Sequence, residues 1–376
     1  MTEPAYPVAR AVAGKVRAHF LDHLEAARGA GHSNLAAAPD TGAIEALIDT
    51  AFWASLRREE GIEPQISLAL VSPEQTELPL RFRDPLDLNA GALAKLAPAV
   101  ERAGIHLGVW LDDGALRVWG TTRSLPAHCF VIEVVASGLL VIKERSDSFG
   151  KFVNVAVLEG DQVKFVDEGA AVGPACPPVL RSLLGFDMTT PGVPAGVMVQ
   201  LAASMRGHRR GGALLRVPAG SEAWKESIVG PIPYALTPPY GELGDLVRRY
   251  PEDGGHEWQD ELRHVVDVIA GLTAVDGATV IDDAYDVLAF GAKIRPRSGH
   301  PPLEQVVVSE PIEGSEVMHS KPGRLGGTRH LSATQFVHDQ HDATAFVASQ
   351  DGRFTIFRWS EPEHMVHAFR VEALLL

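Results

Sequence analysis

Between residues 65 and 166 the chain repeatedly alternates apolar and polar residues over short runs, and each run breaks at a turn-forming cluster. Gln65-Ile66-Ser67-Leu68-Ala69-Leu70-Val71 alternates up to a Ser-Pro turn, and Leu78-Pro79-Leu80-Arg81-Phe82 is another extended piece. Further runs at 106–111, 115–119, 129–136, 139–144, 153–158 and 162–166 read as strands. Asp112-Asp113-Gly114, Ser137-Gly138 and Glu159-Gly160-Asp161 join them as tight turns. Side chains alternate faces along a strand, and a joint of two or three residues can only return the chain antiparallel. A helical stretch at 90–103 interrupts the series. This region is therefore expected to be α+β with mostly antiparallel strands.

Two amphipathic helices precede it. Val12, Val16, Phe20 and Leu24 recur at helical spacing within 8–28, and Ile44, Leu47, Ile48 and Phe52 do so within 41–60. Beyond 166 the pattern changes. A Gly-, Ala- and Pro-rich stretch at 169–178, followed by 188–194, marks the expected boundary between domains 1–187 and 188–376. Helices and strands then alternate: helix 195–206, strand 212–217, helices 243–249 and 258–272, strands 278–281 and 287–292, a helix from 330, and strands 344–348 and 354–359. That alternation predicts an α/β domain. The Pro-rich segment 295–324 reads as a loop. No internal repeat is visible in the sequence.

The chain has 376 residues, enough for about two domains. Its 45% hydrophobic and 22% charged residues are ordinary for a globular protein with real cores. A formal net charge of -14 disfavours a nucleic-acid binder and docking on anionic lipid. It leaves room for a small anionic ligand where cations gather locally. No basic stretch leads into an apolar run at the start, and no apolar run is long enough to cross a bilayer. Cys129 and Cys176 are far apart and outside any zinc-type spacing, as for buried thiols in a reducing compartment. A cytoplasmic protein is expected.

Two short motifs carry candidate chemistry. Asp276-Gly277-Ala278 lies between an apolar helix and a strand. Gly277 permits a tight turn and close approach of a ligand, and the Asp276 carboxylate can hold a divalent cation. Gly326-Gly327-Thr328-Arg329-His330 leads into a helix start, where backbone N–H groups receive anions. Thr328 and Ser332 add hydroxyls, Arg329 a planar fork for phosphate oxygens, and His330 a ring nitrogen.

The order of these pieces resembles the nucleotide-cyclising domain of the DisA-type diadenylate cyclases, over about the last half of the chain. Asp276-Gly277-Ala278 is similar to the family's DGA motif, and Gly327-Thr328-Arg329-His330 to the start of its GTRHR motif. Residues 212–215 resemble its first core strand, and 342–349 the strand that follows the second motif. The resemblance implies an α/β sandwich with a central mixed sheet, and condensation of two ATP into cyclic di-AMP with release of pyrophosphate. It implies Mg²⁺ or Mn²⁺ on Asp276, and Asp276, Arg329 and His330 as catalytic residues. Gly277, Ala278, Gly327, Thr328, Arg329, His330, Ser332 and Ser349 would line the nucleotide site. Because one site holds one ATP, two domains must face each other, so at least a homodimer is implied. The first domain resembles, through residues 52–61 and the strands after them, the sensor modules fused ahead of such cyclases.

This chain departs from the family pattern at three places. Leu331 stands where the family has a second Arg, and Ser349-Gln350-Asp351 where it has Ser-Glu-Glu. On a regular strand Asp351 would point to the opposite face. The segment between the two motifs is longer than usual, with Lys321 or Arg324 as candidate replacements for the lost cation. Asp113-Gly114-Ala115 also spells DGA but reads as a hairpin turn. His338-Asp339-Gln340-His341-Asp342 and the basic run 206–210 read as solvated helix ends, and Trp224, Trp258 and Trp359 as packing residues. Three readings follow: a diadenylate cyclase with a regulatory domain, a non-catalytic sensor of adenine nucleotides or cyclic dinucleotides on the same fold, or a scaffold.

Overall fold

The computed structural model describes residues 5–146, 152–171, 176–184, 196–249 and 256–376. The boundary segment 188–194 read from composition lies outside them. The chain is mixed α and β, with two mixed sheets and eight α-helices among the described residues. It divides into two compact units, Met1–Val166 with Leu376, and Asp167–Leu375. The division lies upstream of the boundary at 187/188 read from composition.

In the first unit, helices α1 (Pro7–Gly29) and α2 (Thr41–Ser55) precede strand β1 (Ile66–Leu70). Next come β2 (Leu80–Asp87), α3 (Ala90–Val100) and β3 (His106–Asp112). The strands β4 (Ala115–Thr122), β5 (Phe130–Ala136), β6 (Leu139–Arg145), β7 (Phe152–Glu159) and β8 (Gln162–Phe165) complete it. Asp40 caps α2 by accepting from the Gly42 N–H at 2.8 Å, and Asn89 caps α3 by accepting from the Ala92 N–H at 2.9 Å. Helix α2 stops at Ser55, short of the expected 60, and the chain turns at Glu60 and Gly61, both with positive φ. The strand order is β2-β4-β3-β1-β5-β6-β7-β8. All pairs are antiparallel except β1 with β3, so the expected mostly antiparallel sheet is mixed by one pair. Phe20, Ile44, Leu47 and Leu93 from the helices pack with Leu68, Leu107, Val109 and Ile132 of the sheet. The Asp113-Gly114 joint has positive φ at both residues, as a two-residue hairpin turn requires.

The second unit begins with helices α4 (Pro178–Leu183) and α5 (Val197–Gly207) and strand β9 (Gly212–Val217). Strand β10 (Tyr234–Tyr240), α6 (Glu242–Arg248), α7 (His256–Thr273), β11 (Ala278–Asp282) and β12 (Val287–Ala292) follow. Then come β13 (Val306–Ser309), β14 (Met318–Ser320), α8 (Thr328–Asp339), β15 (Thr344–Ala348), β16 (Phe354–Ser360) and β17 (Met365–Arg370). The order is β10-β12-β11-β9-β15-β16-β17-β13-β14, with β9/β11 and β13/β17 parallel. Ala333, Phe336 and Val337 of α8 share a core with Leu215, Ala345, Val347 and Phe357. Residues of the other strand parity, Leu214, Phe346 and Ile356, are buried as well. Among the described residues, no helix is long and apolar enough to cross a membrane.

Segment 295–324 is not a plain loop. It contributes β13, whose Val307, Val308 and Ser309 pair with β17 from far along the chain. A run that short carries no period, so only its partner reveals it. Strand β10 was equally hidden, because its Pro238-Pro239 is tolerated only where the sheet has an edge.

Candidate functional site

Central strands β9 and β11 start, and antiparallel β15 ends, at the same end of the second sheet, since Gly212 pairs with Ala348. Helix α8 also starts there. Together they frame a cleft of about 790 Å³. The cleft gathers Asp276, Gly277 and Ala278 from one motif, and Gly327, Thr328, Arg329, His330 and Ser332 from the other. Ser349, at the end of β15, joins them. The residues of the two motifs named as candidate ligands, with Ser349, thus meet in one place, although about fifty positions separate the motifs.

The first motif is fixed by backbone crowding. Gly277 has φ +115°, and a Cβ there would lie 2.4 Å from the carbonyl carbon of Gly291 on β12. Only glycine fits, and the tight turn presents Asp276 at the cleft mouth, with its side chain 88% exposed. Lys293, just past β12, pairs with Asp276 and, together with Arg329, holds its carboxyl below the usual range. The carboxylate is therefore ionised and available as a ligand.

The second motif is a helix N-terminus. Gly327 is the cap of α8 and supplies no side chain to it. The first N–H groups of the helix are thereby left to an external acceptor. The Arg329 guanidinium lies against Gly211, where a Cβ would come within 3.0 Å of it. His330 is different from its neighbours. It is only 4% exposed, its ring lies close under Gly326, and Nε2 is 3.5 Å from Thr355 Oγ1. Burial pushes its pKa down, favouring the neutral ring. The placement makes it the floor of the glycine turn.

Several expectations need correction. Leu331 is 48% exposed and does not line the cleft. Lys321 and Arg324 do not line it either; Lys293 and Arg353 do. Asp351 does face the cleft, because β15 ends at Ala348 and 349–352 is a turn, so strand alternation stops before it. It pairs with Arg353 at 3.4 Å. Gln350 lines the cleft and donates to the Arg210 carbonyl at 3.4 Å. In the basic run Arg209 and Arg210 are exposed, as a solvated helix end requires, but Arg206 donates to the carbonyls of Gly352 at 2.9 Å and Leu375 at 3.2 Å. The 338–342 cluster is solvated only in part, at His341 and Asp342. Asp339 is buried and accepts from the Arg297 N–H at 2.8 Å and the Gln335 amide at 3.0 Å. His341 stacks on Trp359.

Lys293 was the residue most readily missed. Its signal is the β11/β12 hairpin, which sets Ala292 opposite Ala278 and so brings the next residue beside Asp276. Cys129 and Cys176 are buried thiols, and burial pushes the first up to about 12.

A divalent ion fits here only in part through the protein. Among the described residues, no group of three ligating side chains surrounds Asp276. Mg²⁺ characteristically takes one or two carboxylates and completes its shell with water and substrate phosphates. Asp276 beside a helix start whose first N–H groups can receive an anion meets that requirement.

The family described as "Probable sensor domain DACNV" matches residues 33–123, which span α2 to β4 of the first unit. No curated protein matches the chain.

Proposed function

We propose that the second unit is a diadenylate cyclase domain that condenses two ATP into cyclic di-AMP and is regulated by the first unit. The observation that carries this reading is the convergence of the Asp276 turn and the uncapped start of α8 on one cleft. Against a net charge of -14, the cleft still collects Lys293, Arg329 and Arg353. Asp276 and Asp351 offset Lys293 and Arg353, so Arg329 is the lining cation left to face a triphosphate.

In this mechanism the N–H groups at the start of α8, with Thr328 and Ser332, bind the triphosphate. The Arg329 guanidinium receives charge that builds on the departing pyrophosphate. Ala213, Ile294 and Val347 line the apolar part of the cleft, which suits the nucleoside. Mg²⁺ or Mn²⁺, held by Asp276 and phosphate oxygens, would supply charge neutralisation at the phosphates. Asp276 orients the 3′-hydroxyl. That oxygen bonds to the α-phosphorus of the nucleotide in a facing domain as the bond to pyrophosphate breaks, and its proton passes to solvent. Two such events close the ring, so the active form is at least a homodimer. His330 acts from beneath by fixing the Gly326-Gly327 turn.

Purified protein incubated with ATP and Mn²⁺ should yield cyclic di-AMP by mass spectrometry. Absence of product across a wide range of protein and ATP concentrations would sink the reading. One observation favours a second reading in that event. Gln350 places an amide where the cyclases carry an acid, which suits a cleft that binds adenine nucleotides or cyclic dinucleotides without turnover. ATP or cyclic di-AMP would then raise the melting temperature without product formation.

A further inference from the structure

In the first unit, three imidazoles close on one buried carboxylate. Glu144 on β6 is 4% exposed. His19 Nε2 and His23 Nδ1 each lie 2.8 Å from its Oε2, and His128 Nδ1 lies 2.5 Å from its Oε1. His19 and His23 stand one turn apart on α1, which puts both on the same face of the helix. Their ring centroids are 4.1 Å apart. His128 reaches the carboxylate from a left-handed backbone conformation, φ +58°, pinned by its N–H donating to the Arg145 carbonyl at 2.8 Å. A residue other than glycine adopts that conformation at a cost, so the surrounding fold is holding this ring in place.

A carboxylate this deeply buried needs a compensating charge. The neighbouring cations on β6 do not supply it. Lys143 and Arg145 alternate to the other face, where Lys143 pairs with Glu133 at 2.6 Å. The three imidazoles meet the carboxylate as hydrogen-bond partners when neutral and as ion-pair partners when protonated. A divalent cation removes the deficit and uses the ring nitrogens as ligands. The donor atoms of His19, His23 and Glu144 all lie within 4.8 Å of one another. Two imidazoles and a carboxylate around one point is a donor set suited to zinc-type ions. Ligating carboxylates are typically held by a further hydrogen bond, which is the place of His128 on the second oxygen.

We propose that the first unit binds one divalent transition-metal ion of the zinc class through His19, His23 and Glu144, with His128 positioning the carboxylate. The ion ties α1 to β6. None of the four residues falls within 33–123, so the site is a feature of this unit beyond the segment that matches the sensor family.

The full chain, stripped with chelator, is titrated with Co²⁺ as a spectroscopic stand-in and then with Zn²⁺ in competition. One Co²⁺ per chain should give visible d–d bands of a low-coordinate site, displaced by Zn²⁺. Asp276→Asn should leave the bands unchanged, which separates this site from the cyclase cleft. His19→Ala with His23→Ala should abolish them, Glu144→Gln should do the same, and His128→Ala should weaken Zn²⁺ binding about 10- to 100-fold. His19 and His23 are partly exposed, so those variants should fold, as circular dichroism would verify. If the double variant misfolds, His23→Gln alone decides. The proposal is overturned if the wild-type chain gives no stoichiometric bands, or if folded ligand variants bind as the wild type does.

Discussion

Strands β1 to β7 of the first unit, and β9 to β12 with β15 to β17 of the second, follow one another across their sheets in the same order. In each unit the first strand pairs parallel with the third and antiparallel with the strand that opens a three-strand meander. In each, the second strand runs along the edge. Both carry an aromatic-glycine pair at one place in the plan, Trp119-Gly120 on β4 and Phe290-Gly291 on β12. A Cβ at Gly120 would lie 1.9 Å from the Leu80 carbonyl oxygen on edge strand β2, and one at Gly291 would lie 2.8 Å from the Tyr234 ring on β10. The units differ in what joins their fourth and next meander strands. Residues 123–129 make a short connection in the first, whereas the second inserts β13, β14 and α8. They also differ at the turn into the third strand, Ala103-Gly104 in one and Asp276-Gly277 in the other. The repeated scaffold is common to both, and the candidate chemistry sits in the insertion and the changed turn.

The largest expected effect tests that turn. Asp276→Asn should lower cyclic di-AMP formation by about 10²- to 10³-fold, read by mass spectrometry, and leave the melting temperature unchanged because the side chain is exposed. Retained activity would mean that the acid is not what separates the two units. Next comes the inserted helix. Phe336 is fully buried under the second sheet, so Phe336→Ala should cost about 3–5 kcal/mol in urea unfolding. A small loss would show α8 to be an appendage rather than part of the core.

The third prediction concerns acid. His106 in the first unit is buried and within 2.7 Å of the Ser67 hydroxyl, and burial pushes its pKa down to about 4. Above pH 6.5 both folded and unfolded states are neutral there. Below it the unfolded state takes up a proton that the folded state refuses, so stability falls as pH drops from about 6.5 to about 4, by roughly 3 kcal/mol from this group. Urea melts at both ends of that window should show a shallower slope for His106→Gln. An unchanged slope would refute the assignment.

The smallest effect compares the two DGA sequences directly. Gly277→Ala should destabilise by about 1–3 kcal/mol through strain and the clash with Gly291. Gly114→Ala has φ +81° but open space around it, and should cost about 1 kcal/mol. Equal melting temperatures for the two variants would remove the distinction between a packed turn and a plain hairpin.

The sequence by itself determined the helices with clear stripes, such as Val12, Val16, Phe20 and Leu24 on α1, and the hairpins closed by Asp113-Gly114 and Ser137-Gly138. It also marked Asp276 and Gly327 to Ser332, since glycine turns and hydroxyl or cationic groups are local signals. It showed no repeat, because a buried strand position accepts many apolar residues and so the same plan can be written twice without shared letters. Only the tertiary structure decided that Lys293 and Arg353 face the cleft, that Leu331 does not, and that His330 lies beneath it. It alone joined His19 and His23 to His128 and Glu144, more than a hundred positions along the chain. Such choices depend on which strand ends meet at one end of a sheet and where a strand stops. They are fixed by long-range pairing, which no local period records.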